Sequence, residues 1–155
     1  SDFLAKEAVV TSLAGADVRS VVRELAGRLA AQAPALDAEL VLQRTLRREN
    51  EMSTAVGHGL ALPHARIESL PHTMIAYGRS PEGIDFKAFD NQPVQHVFLI
   101  LTPLEKPREQ LRALARISSI ATSEVLFQEL GEAETPEAVC AMIRTADAFT
   151  PLDVQ

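Results

Sequence analysis

Apolar and polar positions change their period several times along the chain. From Asp17, a good helix cap, Val18, Val21, Val22, Leu25 and Leu29 recur at helical spacing and predict an amphipathic helix to about Ala31, with Pro34 barring continuation. Asp37 opens a second helix through Leu40, Val41 and Leu46, its last turn carrying Arg44, Arg47 and Arg48, where basic side chains complement the helix dipole; Arg44 and Arg47 are expected to be solvated surface. Residues 1–16 show little pattern beyond Phe3-Leu4 and Val9-Val10. A short extended piece is expected at Ser53 to Val56, a strand at Leu60 to Arg66, another at Thr73 to Arg79, a turn at Ser80-Pro81-Glu82-Gly83 and a further turn at Asp90-Asn91-Gln92-Pro93. Val94 to Thr102 reads as a strongly apolar central strand closed by Pro103.

After Pro107 the spacing of Leu111, Leu114, Ala115 and Ser118 predicts a helix to about Thr122. A shorter one starts at the Ser123 cap and ends at Gly131. Thr135-Pro136-Glu137 supplies a cap, a proline for the first helical position and an acid for the first turn, so a last helix should run to about Ala146. Strands flanked by helices at both ends of the chain predict an α/β sandwich with a mixed sheet. The whole chain, 1–155, is expected to form a single domain with its core over about 4–146 and a loose tail over 147–155.

Composition narrows the picture. With 155 residues, 46% of them hydrophobic and 23% charged, the chain can bury a sizeable core and is not a disordered polymer. Its longest purely apolar run is Val97 to Leu101, too short to cross a bilayer, so no membrane insertion is expected. The N-terminal residues lack the basic-then-apolar order of a signal peptide, and the single Cys140, set in an apolar helical pattern, makes no internal disulfide. A reducing cytoplasm is the expected location. A formal net charge of −6 argues against nucleic acid and favours basic partners.

The candidate chemistry lies in Gly57-His58-Gly59-Leu60-Ala61-Leu62-Pro63-His64-Ala65-Arg66. Pro63 fixes its own φ and pushes Leu62 into extended geometry, so the backbone entering His64 has few conformations to lose. Gly57 and Gly59 permit close approach or positive φ, and Arg66 puts a cation near the ring. Neutral imidazole accepts groups covalently near pH 7, which makes His64 a candidate phosphohistidine; a hydrogen-bonded structural histidine fits the same local pattern. The phosphoryl reading requires an uncharged ring open to solvent and surrounded by anion-binding groups. Ser53 and Thr54 offer hydroxyls for a phosphate, for His64 or for a turn. His58 and His72 match no common zinc spacing, so no metal is expected. Gly57-x-Gly59 lacks the third glycine and the lysine of a nucleotide loop, and no nucleotide cofactor is expected either.

The run from Glu49 through Ala65, with its acid, six-residue spacer, Val56-Gly57, Leu60-Ala61-Leu62 and Pro63-His64-Ala65, resembles the active-site signature of the fructose/mannitol-type enzyme IIA domains of the bacterial phosphotransferase system. Arg48-Glu49, Gly83-Ile84-Asp85-Phe86 and Asp90-Asn91-Gln92-Pro93-Val94 make it most similar to the nitrogen-regulatory branch, over about residues 4–146. The resemblance implies an α/β sandwich of the mannitol-type enzyme IIA kind that takes phosphate from the phosphocarrier HPr onto Nε2 of His64, without metal or nucleotide. It then passes the group to an enzyme IIB domain or signals to a regulatory target. The negative surface would steer HPr. By the same resemblance Arg48, Thr54, Gly57, Gly59 and Arg66 would bind the phosphate. One position departs from the family pattern: Gln110 stands where a second histidine is usual. Glutamine can donate a hydrogen bond but cannot carry charge, so a non-catalytic regulatory binding module, as the soluble domain of a transporter, is the alternative.

Overall fold

The computed structural model describes residues 4–121 and 123–148. After a 3-10 turn at Lys6–Ala8, the elements are β1 (Val9–Val10), α1 (Val18–Gln32), α2 (Ala38–Glu51), β2 (Ala55–Gly57), β3 (Leu60–Ala61), β4 (His64–Ile67), β5 (Met74–Ile84), β6 (Val94–Pro103), α3 (Pro107–Ala121), α4 (Glu124–Glu132) and α5 (Pro136–Ala148). The strands form one mixed six-stranded sheet in the order β1-β5-β6-β3-β2, with β4 also paired to β6. The expected α/β sandwich is the observed fold, and the expected caps act at the helix starts. Asp17 accepts from Ser20 N at 2.7 Å, Asp37 from Glu39 N at 3.0 Å and Thr135 from Ala138 N at 3.0 Å.

Side-chain alternation on β6 explains the two-layered core. Val97, Leu99 and Leu101 pack with Val21, Leu25, Leu29 and Val41 of α1 and α2. Phe98 and Ile100 pack on the other face with Ile117, Ile120, Leu130, Val139 and Ile143 of α3, α4 and α5. A strand apolar on both faces is the natural centre of such a sheet.

The single strand expected over Leu60 to Arg66 is two strands. Leu60 pairs His96 and Ala61 pairs Val97 in β3, then His64 pairs Ile100 and Ala65 pairs Leu101 in β4. The offset along β6 is the same on both sides, so the interruption at Leu62-Pro63 is no slip of register. Pro63 has no N–H to give the ladder and holds Leu62 out of it. Its carbonyl still accepts from Ile100 N at 3.0 Å, while Leu62 N turns to Thr54 O at 3.2 Å.

Three further expectations are corrected. Ser80 to Gly83 is not a turn but a wide bulge inside β5, four residues opposite Gln95 between the Arg79–His96 and Ile84–Val94 pairs. β5 therefore runs past its expected end at Arg79. Val9-Val10 forms an edge strand parallel to β5, pairing Tyr77 and Gly78. On α3 the buried stripe is Ala113, Ile117 and Ile120, while Leu111 is 70% exposed. Thr122 and the tail beyond Ala148 lie outside the described residues.

Candidate functional site

His64 begins β4 where the chain resumes the ladder after Pro63. Its ring is buried, 6% exposed, at the back of a cleft of about 550 Å³ between α2, β4 and the start of α3. The ring expected to stand open to solvent is thus recessed. α2 lies against β4, tied to it by Arg44, and the cleft borders the imidazole. The lining comprises Arg44, Arg47, Arg48 and Glu51 of α2, His64, Ala65 and Arg66 of β4, Glu68, Leu104 and Gln110.

Local backbone chemistry decides the tautomer. Nδ1 of His64 lies 2.8 Å from the carbonyl oxygen of Leu62. A carbonyl only accepts, so Nδ1 carries the proton and Nε2 keeps its lone pair. The proline break therefore has a chemical consequence: the Leu62 carbonyl, held out of the ladder, becomes the acceptor for the ring. Burial pushes the imidazole pKa below its ordinary value; the Leu62 carbonyl opposes this, the Arg48 guanidinium adds to it, and the Glu49 carboxylate opposes it. The ring is neutral near pH 7, with a nucleophilic Nε2.

Arg48 donates to the Met52 carbonyl at 3.0 Å and keeps its remaining donors for the cleft. Gln110, in the first turn of α3, lines the same cleft, as does Arg66, which shares the His64 face of β4. His64, Arg48, Arg66 and Gln110 thus line one cleft.

Thr54, Gly57 and Gly59 do not line it. The Thr54 hydroxyl donates to Glu49 Oε1 at 2.6 Å and its N–H to Glu49 Oε2 at 2.7 Å, so this residue anchors the acid beside His64 and has no hydroxyl proton left for a phosphate. The Ser53 hydroxyl is likewise used, donating to Phe86 O at 2.6 Å. Gly57, His58 and Gly59 all have positive φ, at 93°, 57° and 78°, and make the tight β2–β3 hairpin. The Gly59 carbonyl accepts from Gln95 N and His96 N, four residues along β6 from the Ile100 that pairs His64, a separation of about 13 Å. The glycines shape that hairpin rather than a phosphate cradle at the ring. His58 is exposed at the hairpin and His72 is exposed before β5.

Two arginines expected to be solvated surface belong to the cleft. α2 continues to Glu51, so Arg44 and Arg47 are not in its last turn. Arg44 pairs through Nη1 and Nη2 with the two carboxylate oxygens of Glu68, the second contact at 2.9 Å, and donates to Arg66 O at 3.2 Å, which ties α2 to β4. Arg44, Arg47, Arg48 and Glu51 recur at the spacing of one helix face, the signal that would have found them. Four arginines against two glutamates make the cleft locally positive in a chain whose net charge is −6. The negative surface expected to steer a basic partner is therefore not the surface around His64.

The model of the family described as phosphoenolpyruvate-dependent sugar phosphotransferase system, EIIA 2, matches residues 2–146. A nitrogen regulatory protein of Bradyrhizobium diazoefficiens is 31% identical over 143 residues, 92% of this chain and 93% of that protein. The fructose-specific EIIABC component of Bacillus subtilis is 30% identical over 147 residues, 95% of this chain, but this chain spans only 23% of its length. Among solved structures, the nitrogen regulatory protein IIA-Ntr of Neisseria meningitidis superposes with a TM-score of 0.85 at 24% identity, covering 92% of this chain and 97% of that one. The Escherichia coli complex of enzyme IIAMTL with phosphorylated enzyme IIBMTL gives 0.75 at 16%, covering 91% and 96%. With the signature read from Glu49 to Ala65 and the fold it implied both present, the chain belongs to the phosphoenolpyruvate-dependent sugar phosphotransferase system EIIA 2 family.

Proposed function

We propose that the chain is a phosphoryl carrier that accepts phosphate from HPr on Nε2 of His64 in the cytoplasm and passes it to an enzyme IIB domain or signals its phosphorylation state in nitrogen-type regulation. The observation that carries this reading is the hydrogen bond from Nδ1 of His64 to the Leu62 carbonyl, which leaves Nε2 unprotonated in a cleft lined with guanidinium groups. In the transfer, the Nε2 lone pair attacks phosphorus as the P–N bond to the donor imidazole breaks; the donor ring leaves with the electron pair. Leu62 holds the Nδ1 proton and stabilises the charge that the His64 ring acquires. Arg48 and Arg66 supply donors to the equatorial oxygens, and Glu49, fixed by Thr54, offsets part of the Arg48 charge on the ring. The onward acceptor would be a cysteine of an enzyme IIB domain; a member of this fold has been solved with phosphorylated enzyme IIBMTL.

The test is intact mass after incubation with phosphoenolpyruvate, enzyme I and HPr. An acid-labile gain of one phosphate, lost in His64→Ala, is the expected result, and no gain with cognate carriers overturns it. Gln110 in the cleft favours a second reading, a module that binds its partner in this family's manner without efficient turnover. Gln110→His separates the two: transfer accelerates if the missing imidazole limits it, and an unchanged rate removes Gln110 as the reason for slow turnover.

A further inference from the structure

On β6 the Thr102 hydroxyl is fully buried and makes no hydrogen bond among the described residues. A buried hydroxyl left that way costs stability, so threonine where valine would fill the same space points to a bond made in another state. The sheet register shows where the hydroxyl lies. Arg66 pairs Thr102 as His64 pairs Ile100, so these four side chains share the face that carries α3. Met74 pairs Leu101, which puts Thr73 beside Thr102 on its other flank. Thr73 donates to Glu109 Oε2 at 3.2 Å, and Gln110 lines the His64 cleft, so the first turn of α3 crosses above Thr102. Gln110 also stands one turn before Ala113 on the buried stripe of Ala113, Ile117 and Ile120. Of the polar neighbours, Arg66 has no acceptor and Glu109 reaches away to Thr73. The Gln110 amide, half-buried, makes no hydrogen bond among the described residues.

Resting on the carrier reading above, we propose that Thr102 is a positioning residue for Gln110. An amide can turn either end to a phosphoryl oxygen, and only its NH2 end attracts one. In phospho-His64 the Gln110 carbonyl oxygen accepts the Thr102 proton, which turns the NH2 toward the phosphoryl group and holds it there. Thr102 is absent from the lining of the cleft and acts only through Gln110.

The test phosphorylates the ¹⁵N-labelled chain with phosphoramidate, which needs no carrier protein: the Nε2 lone pair attacks phosphorus, and ammonia leaves with the P–N electron pair. Phospho-His64 formation and the Gln110 side-chain NH2 signals are followed in the parent, Thr102→Val, Thr102→Ser, Gln110→Ala and the Thr102→Val/Gln110→Ala double variant. Thr102→Val should have an unfolding midpoint no lower than the parent's. It should form phospho-His64 about three- to tenfold more slowly and lose the shift that phosphorylation gives the Gln110 NH2 in the parent. Thr102→Ser should restore both, and in the Gln110→Ala background Thr102→Val should slow nothing further. Thr45→Val, which removes the other buried unpaired hydroxyl, on α2, should keep the parent's rate. The proposal is overturned by a parent rate or a lowered midpoint in Thr102→Val, by a full additional loss in the double variant, or by an equal loss in Thr45→Val. A His64 that phosphoramidate leaves unmodified overturns it too. A chain that phosphoramidate modifies and HPr does not refutes only the carrier reading.

Discussion

At His64 one ring feels two opposite charges over a larger effect of burial. Arg48 pushes the imidazole pKa down and Glu49 pushes it up, so removing each charge must move the ring in opposite directions. Arg48→Gln is expected to raise the His64 pKa and Glu49→Gln to lower it, read from the ring ¹⁵N shifts across a pH titration. The two substitutions differ in their effect on stability. In Arg48→Gln the new amide can still donate to the Met52 carbonyl. In Glu49→Gln the amide oxygen can accept from the Thr54 N–H, but the NH2 then donates to the Thr54 hydroxyl, and the proton of that buried hydroxyl loses the acceptor it has in the parent. That should cost about 1–3 kcal/mol. A His64 pKa that stays put in Arg48→Gln would mean that the guanidinium does not face the ring.

Among the elements, the β3–β4 break is where fold and chemistry meet. The matching register on either side means that an alanine at position 63 would restore the missing N–H and let residues 62 and 63 rejoin the ladder. The Leu62 carbonyl would then be drawn from the ring, and Pro63→Ala should show a mixture of Nδ1–H and Nε2–H tautomers in the His64 ¹⁵N spectrum. Greater freedom of the unfolded chain should also lower stability by about 0.5–1 kcal/mol. A single Nδ1–H tautomer in the variant would free Pro63 of this role. That much was legible before coordinates: the signature, the proline before the histidine, the helix caps and the apolar β6 are local features. What escaped reading depends on distant partners. Val9-Val10 becomes a strand because β5 lies beside it, and Pro81 and Gly83 look like a turn because Gln95, which absorbs the bulge by donating to Pro81 O at 3.1 Å, is remote in sequence. The Thr54 hydroxyl is taken up by Glu49 of α2, a bond that no local pattern announces. Arg47 is solvent-exposed as its pattern suggests, but that it borders the His64 cleft depends on how α2 packs against β4; on α3 the spacing alone does not set the phase, and Leu111 faces out while Ala113 and Ile117 face in.

For the whole molecule, the sheet's second buried histidine sets a limit on acid tolerance. His96 sits on β6 under α4, 4% exposed, with Nδ1 accepting from the Tyr77 hydroxyl at 2.6 Å and its ring edge-on to Phe127 at 4.8 Å. Arg79 bridges the same region, donating to Leu130 O at 3.0 Å and Gly131 O at 3.3 Å on α4 and to Thr11 O at 3.3 Å. Burial, with the Arg79 charge as a second cause, lowers the His96 pKa from about 6.5 to about 4, and burial raises that of Tyr77, which stays a protonated donor. Because the folded pKa lies below the unfolded one, the unfolded chain binds the extra proton between these values. The contribution is complete above pH 6.5 and is lost as pH falls toward 4. Over that window the loss is on the order of 3 kcal/mol, with about 2 kcal/mol gone by pH 5, a large part of the roughly 5–15 kcal/mol that holds a domain together. His64, also lowered, acts in the same direction. Urea unfolding at pH 7 and pH 5 should therefore show a marked fall in stability. In His96→Gln, whose amide oxygen can still accept from Tyr77 but cannot titrate, about 2 kcal/mol of that fall should vanish whatever the variant's stability at pH 7. A pH slope equal to the parent's would mean that His96 is not the group whose protonation the folded state resists.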